Sequence, residues 1–297
     1  MAIPVSFFVT FFVVIPFIIY SMVIFPNSKI NLGLKIVGKR NDGYHDIETI
    51  FFPVHLKDAL EVIEKEKFEF STSGSLIEGE TEKNLCIKAY RLLKKDLPHL
   101  PAVQMHLHKA IPMGAGLGGG SADGAFTLKL LNKKFELNLS EKQLTNYSLQ
   151  LGSDCPFFIL NKPCFATGRG EILEQTALDL SEFKILIVHP AIHISTAWAF
   201  SQLSEPRQER EPDSYKGIKE VILQPTETWK DELINDFENP VFEKYPAIKN
   251  IKDKLYNAGS IYASMSGSGS AVYGIFRKEK GISLSFPENY FVKTLFC

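Results

Sequence analysis

Apolar and polar positions fall into short strand-like and helix-like runs along most of this chain. Strand-like runs cover residues 30–37, 47–54 and 59–63, and another covers 103–109, where His106 and His108 share one face with Gln104. A helical period covers 84–95, with Leu85, Ala89, Leu92 and Leu93 on one side. A second helix-like run covers 122–131, and Ser140 with Gln143 has the spacing of a capping box that opens a third helix. Further on, strands are expected over 183–188, 260–265 and 271–276, with helices near Ile218, Asp231 and Ala247. The stretch 204–216 is polar and rich in breakers, so it reads as an exposed loop. There are no internal repeats. The pattern is that of an α+β chain.

With 297 residues, 45% hydrophobic and 23% charged, the chain can form two domains with good cores. A formal net charge of −1 lacks the basic excess of a nucleic-acid binder, so no nucleic-acid partner is expected. Any polyanionic ligand must then be held by local donors. Cys86, Cys155, Cys164 and Cys297 have no CxxC spacing, which suits reduced thiols in a cytoplasmic protein. Cys155 reads as a packing residue.

Residues 1–28 carry no charged side chain, and 7–20 is almost continuously apolar. As a signal peptide this extension lacks a basic n-region, and as a membrane span it is interrupted by Pro16. Translation is expected to begin at Met22. No membrane partner is then expected unless residues 1–21 are translated.

The most informative segment is Pro112-Met113-Gly114-Ala115-Gly116-Leu117-Gly118-Gly119-Gly120-Ser121-Ala122-Asp123-Gly124. A strand-like run enters it and a helix-like run leaves it. Glycines let a polyanion lie directly on backbone N–H groups, and the first turn of a helix has unpaired donors and the positive end of the dipole. The segment therefore reads as a phosphate cradle. Gly114, Gly116 and Gly119 satisfy G-x-G-x-x-G, but no buried strand precedes Glu136, the acidic residue that a dinucleotide site would need. A Walker A loop would place a lysine before Ser121, and Gly120 stands there. A protein-kinase loop would require His-Arg-Asp and Asp-Phe-Gly downstream, and neither occurs.

Pro112, Gly116-Leu117-Gly118 and Ser121-Ala122 resemble the second motif of the GHMP kinases, Pro-x-x-x-Gly-Leu-Gly-x-x-Ser-Ala. The opening Lys29-Ile30-Asn31-Leu32, the segment Arg40-Asn41-Asp42-Gly43-Tyr44-His45, the stretch 151–158 and the turn around Gly267-Ser268-Gly269 resemble the isoprenoid-pathway branch of that family. The resemblance covers about residues 22–277 and extends to Asn235-Asp236-Phe237-Glu238, which is similar to an interdomain helix. It implies a ribosomal-S5-like N-terminal ATP-binding domain over 22–180 and a ferredoxin-like C-terminal domain over 181–297, with the active site in the cleft. It further implies ATP with Mg²⁺ held by the backbone from Pro112 to Ala122, the Ser121 hydroxyl facing a phosphate or its Mg²⁺. The implied acceptor is a small molecule, a cytidine-diphosphate-linked methylerythritol. Asp154 is implied as the base and Lys29 as its electrostatic partner. Asn31, Tyr44, His45 and Phe200 are implied at the substrate, and Gly267, Ser268 and Gly269 near the phosphates.

The chemistry agrees with those roles. Phosphoryl transfer needs positioning and a group that accepts the hydroxyl proton, and a nearby lysine keeps a carboxylate ionised for that task. Plainer roles stand beside these and beside three further readings: a solvated charge for Lys29, a helix or turn cap for Asp154, a surface turn rather than a contact to substrate phosphate for Arg169, core packing rather than a share of the Phe200 wall for Trp198, and a wet strand face rather than a metal pair for His106 and His108. Rival functions are a mevalonate-type or homoserine-type GHMP kinase, which lack the Asp-Gly-Tyr-His segment, and an inactive sensor of the same fold.

Overall fold

The computed structural model describes residues 20–76, 80–203 and 217–297. The expected loop at 204–216 and nearly all of the apolar extension lie outside the described residues. No helix among the described residues is long and apolar enough to cross a membrane.

Three four-stranded sheets organise the described residues. In the first, Met22–Ile24, Ala59–Glu64, Val103–Lys109 and Glu69–Gly74 lie side by side in that order. The second runs Asn27–Lys39, His45–Lys57, Cys164–Thr167, Ile172–Gln175. One core packs the helices Leu85–Asp96, Gly119–Lys134, Glu141–Leu151 and Cys155–Leu160 against these strands through Cys86, Leu93, Met105, Ala125, Leu128 and Phe157. The capping box at Ser140 and Gln143 forms as its spacing requires. No strand forms at Glu136, whose φ of 48° places it in a turn, so the dinucleotide reading has no structural support.

The third sheet has the order Tyr262–Met265, Val272–Arg277, Phe183–His189, Phe291–Phe296, all antiparallel. Numbered along the chain from Phe183, that order is 2-3-1-4, the ferredoxin-like arrangement. The helix Pro246–Asn257 covers it through Ile248, Ile251 and Leu255. Asn27–Lys39 is buried over its first eight positions because a second core, containing Ile30, Leu32, Ile50, Ile185 and Tyr273, continues from it into the third sheet. That strand forms the floor of the cleft.

Candidate active site

A buried ion cluster clamps the glycine segment at both ends. Lys109 closes its strand pointing inward, and its ammonium donates to Asp58 and, at 2.8 Å, to Asp123, the fifth residue of Gly119–Lys134. The other Asp58 oxygen accepts from the backbone N–H of Ala110 at 2.6 Å and of Ile111 at 2.9 Å. Burial pushes the Asp123 carboxyl up to about 8, with the Lys109 charge opposing the rise.

Between those anchors, Gly114, Gly116 and Gly118 adopt φ values of 61°, 75° and 71°. Gly116 is constrained twice, because a Cβ added there would stand 1.9 Å from the carbonyl oxygen of Ser266. Ser266 Oγ donates to Gly116 O at 2.8 Å, and Ala271 N donates to Ala115 O at 3.1 Å. The loop is thus seated against the Gly267-Ser268-Gly269 turn. Residues 112–121 line a cleft of about 620 Å³ together with Phe70, Thr81, Asn84 and Thr196. It opens on the N-terminus of a 16-residue helix, where backbone donors and the helix dipole favour an anion.

Lys29 reaches the same loop from the floor. Its backbone N–H donates to Leu117 O at 2.9 Å, and its ammonium donates to Asn31 Oδ1 at 2.6 Å and Gly116 O at 3.0 Å. Asp154 Oδ2 lies 3.6 Å from that ammonium. Lys29 is only 4% exposed, which removes the solvated-charge reading. Asp154 stands at the N-cap of Cys155–Leu160, yet its side chain makes no cap hydrogen bond. The carboxylate is therefore free for another task. Burial lowers the Lys29 pKa, and the charge and hydrogen bond of Asp154 oppose that shift.

Asn31 holds Lys29 in place, its Nδ2 donating to Thr49 Oγ1 at 3.0 Å while its Oδ1 receives the ammonium. Lys29, Asn31, Asp154, His193 and the Gly267-Ser268-Gly269 turn line a second cavity of about 540 Å³, which shares Gly114, Gly116 and Gly118 with the first. A third, of about 740 Å³, is lined by Tyr44, His45 and Phe200 and shares Ser153, Arg169 and Ala197 with the second. The three form one continuous trough. At its far end the His45 ring lies on Phe200 with centroids 4.8 Å apart and planes 16° apart, while Tyr44 is exposed. Burial lowers the His45 pKa, and the Lys39 charge adds to the shift.

Every residue expected at the site thus lines the trough, apart from Ala122, which is buried beneath the glycine loop. Trp198 is not among the lining residues; its ring meets Tyr245 edge-on and the Lys244 ammonium 4.0 Å away. Burial pushes the Cys155 thiol up to about 12, in keeping with a packing role. His106 and His108 bond to Ser71 and Ser73 on an exposed face, and no metal-binding cluster occurs among the described residues. Sequence reasoning missed the Lys109–Asp58–Asp123 cluster, whose one signal was a lysine at the end of an apolar strand. It also missed the role of Asn235, which donates to Met265 O at 2.8 Å and Gly267 O at 2.9 Å and so fixes the third loop.

Comparison with known proteins places this geometry in context. The model for the GHMP kinases N-terminal domain matches residues 84–162, and the model for the GHMP kinases C-terminal domain matches 215–285. A 4-diphosphocytidyl-2-C-methyl-D-erythritol kinase from Bacteroides fragilis is 50% identical over 266 residues, spanning 88% of this chain and 94% of the relative. A protein of the same description from Bacteroides thetaiotaomicron is 49% identical over 280 residues, spanning 93% and 98%. The crystal structure of a 4-(cytidine 5'-diphospho)-2C-methyl-D-erythritol kinase superposes with a TM-score of 0.73 at 27% identity, covering 93% of this chain and 100% of that one.

Proposed function

This chain belongs to the GHMP kinase family, and on that premise we propose that it uses ATP to phosphorylate the 2-hydroxyl of 4-diphosphocytidyl-2-C-methyl-D-erythritol in non-mevalonate isoprenoid precursor synthesis. The observation that carries the reading is the Lys29–Asp154 pair, 3.6 Å apart and bonded into the backbone of the glycine loop.

In this reading ATP lies along residues 112–122 with its γ-phosphoryl group at the mouth shared with Asp154. Asp154 takes the proton of the acceptor hydroxyl, the oxygen bonds to the γ-phosphorus, the bond to the β–γ bridging oxygen breaks, and ADP leaves. A tertiary alcohol is poorly acidic, so a positioned carboxylate contributes directly to the rate. The Lys29 ammonium keeps that carboxylate ionised and offsets the negative charge developing beside it. Gly267, Ser268 and Gly269 approach the phosphates from the other side. Tyr44, His45 and Phe200 offer the ring faces and the polar edge that select cytosine, with Asn31 beside the acceptor.

The Ser121 hydroxyl is a hard oxygen donor at the phosphate loop, which suits Mg²⁺ bound jointly with ATP phosphates and water. When bound, Mg²⁺ neutralises charge on the β- and γ-phosphates. We further take residues 22–180 as the ATP-binding domain and 181–297 as the C-terminal domain of a cytoplasmic enzyme. Phosphorus NMR of the product tests the proposal: a new phosphomonoester on the tertiary carbon is expected, and a phosphate on any other hydroxyl would contradict it.

A further inference from the structure

The junction between the reacting end of the trough and its aromatic end carries a feature that the proposed mechanism does not use. Six residues line both the Lys29–Asp154 cavity and the Tyr44–His45–Phe200 cavity: Ile47, Ser153, Arg169, Thr196, Ala197 and Phe200. Arg169 is the one among them with a formal charge. It sits on the turn between Cys164–Thr167 and Ile172–Gln175, with Gly168 and Gly170 at φ 66° and 109° on either side. Gly168 O accepts from Ile47 N at 2.7 Å, which ties the turn to His45–Lys57, the strand beside the cleft floor.

The turn touches both ends of the trough. The Arg169 guanidinium carbon lies 5.0 Å from the centre of the Tyr44 ring. A Cβ on the next residue, Gly170, would stand 3.4 Å from Asp154 Oδ1. Arg169 Nε donates to Glu171 Oε1 at 3.2 Å, and Arg169 N donates to Glu171 Oε2 at 2.5 Å. The Nε bond holds the guanidinium by its inner edge, and the main-chain bond holds Glu171 in place to accept it. No described residue accepts a hydrogen bond from its two terminal nitrogens, and the side chain is 32% exposed.

We propose that Arg169 binds the diphosphate of the acceptor substrate. The inference rests on the proposed function: a base on the aromatic end and a hydroxyl at Asp154 place the linking diphosphate at this junction. A planar fork whose two terminal amino groups bond to no described residue suits phosphate oxygens, and the Tyr44 ring 5.0 Å away favours the cation at this place. Arg169 thereby distinguishes a diphosphate-linked alcohol from a simple one.

Calorimetric titration of CDP and of cytidine, with a saturating non-hydrolysable ATP analogue filling the phosphate loop, tests this. The wild-type chain is expected to bind CDP more tightly than cytidine. Arg169→Gln is expected to lose about 10- to 100-fold in CDP affinity, the worth of a charge-assisted hydrogen bond, with cytidine affinity unchanged. Equal loss for both ligands, or an unchanged preference for CDP, overturns the proposal and leaves the proposed function standing. If the wild-type chain binds neither ligand, both fall. Unchanged binding of the ATP analogue verifies folding of the variant. Should Arg169→Gln fail that control, Arg169→Lys is read by the same criterion, selective loss of CDP affinity.

Discussion

Lys29 and Asp154, 125 positions apart in the chain, meet at 3.6 Å across the mouth of the glycine cleft. The same ammonium donates to Asn31 and to the carbonyl of Gly116, so one buried cation connects the carboxylate with the phosphate loop. Asp154→Asn keeps the shape and removes the proton acceptor. Turnover is expected to fall about 10²- to 10⁴-fold, the usual contribution of a positioned base, while ATP still binds. Single-turnover transfer and ATP titration measure the two quantities separately. A variant that turns over near the wild-type rate would remove Asp154 from the chemistry.

Burial lowers the pKa of Lys29, so its alkaline titration falls below the ordinary lysine value of about 10.4. The ammonium is lost as pH rises through the lowered pKa. The alkaline limb of kcat/KM is expected there. In the window between the folded and unfolded pKa values the unfolded chain binds more protons, so this group's contribution to stability increases with pH. Activity and stability should therefore diverge on the alkaline side. A kcat/KM profile that stays flat up to the ordinary lysine range contradicts this role.

Lys109→Met leaves Asp58 and Asp123 buried without their cation. Removing one partner of a buried ionic cluster costs about 3–5 kcal/mol, and denaturant unfolding should register that loss. Adding Asp58→Asn and Asp123→Asn should recover part of it. No recovery in the triple variant would mean that the lysine acts through packing and not through charge.

Gly116→Ala introduces a Cβ where Ser266 O stands 1.9 Å away, at a φ of 75°. The glycine loop must then move off the Gly267-Ser268-Gly269 turn. ATP affinity is expected to fall sharply. Gly281→Ala, outside the cleft, is the control, since a Cβ there meets nothing within 4 Å. Equal ATP affinity in the two variants would contradict the close seating of the loops.

Much of this site was legible in the sequence because its chemistry sits in short, contiguous stretches. The glycine loop reads as a phosphate cradle from residue type and spacing alone, whereas the Lys29-Ile30-Asn31 strand and the turn ahead of Tyr44 and His45 stand out through their resemblance to the GHMP kinases. The helix Leu85–Asp96 and the strand Val103–Lys109 followed from periodicity for the same local reason. What spacing could not give was contact over long separations. Asp58, Lys109 and Asp123 lie on three separate elements, and Asn235 reaches Gly267 across 32 positions. The strand Glu69–Gly74 also escaped notice, because an edge strand of Ser, Thr and Gly has no apolar alternation to betray it. Phe291–Phe296 shows no alternation either, and its only signal was the Phe, Val and Thr content that favours strands.

The most direct measurement is ADP release by the purified chain with ATP and Mg²⁺, comparing 4-diphosphocytidyl-2-C-methyl-D-erythritol with mevalonate and homoserine. Rapid release with the cytidine compound alone, lowered about 10²- to 10⁴-fold in Asp154→Asn, is the predicted result. Release with mevalonate or homoserine and none with the cytidine compound would contradict the account.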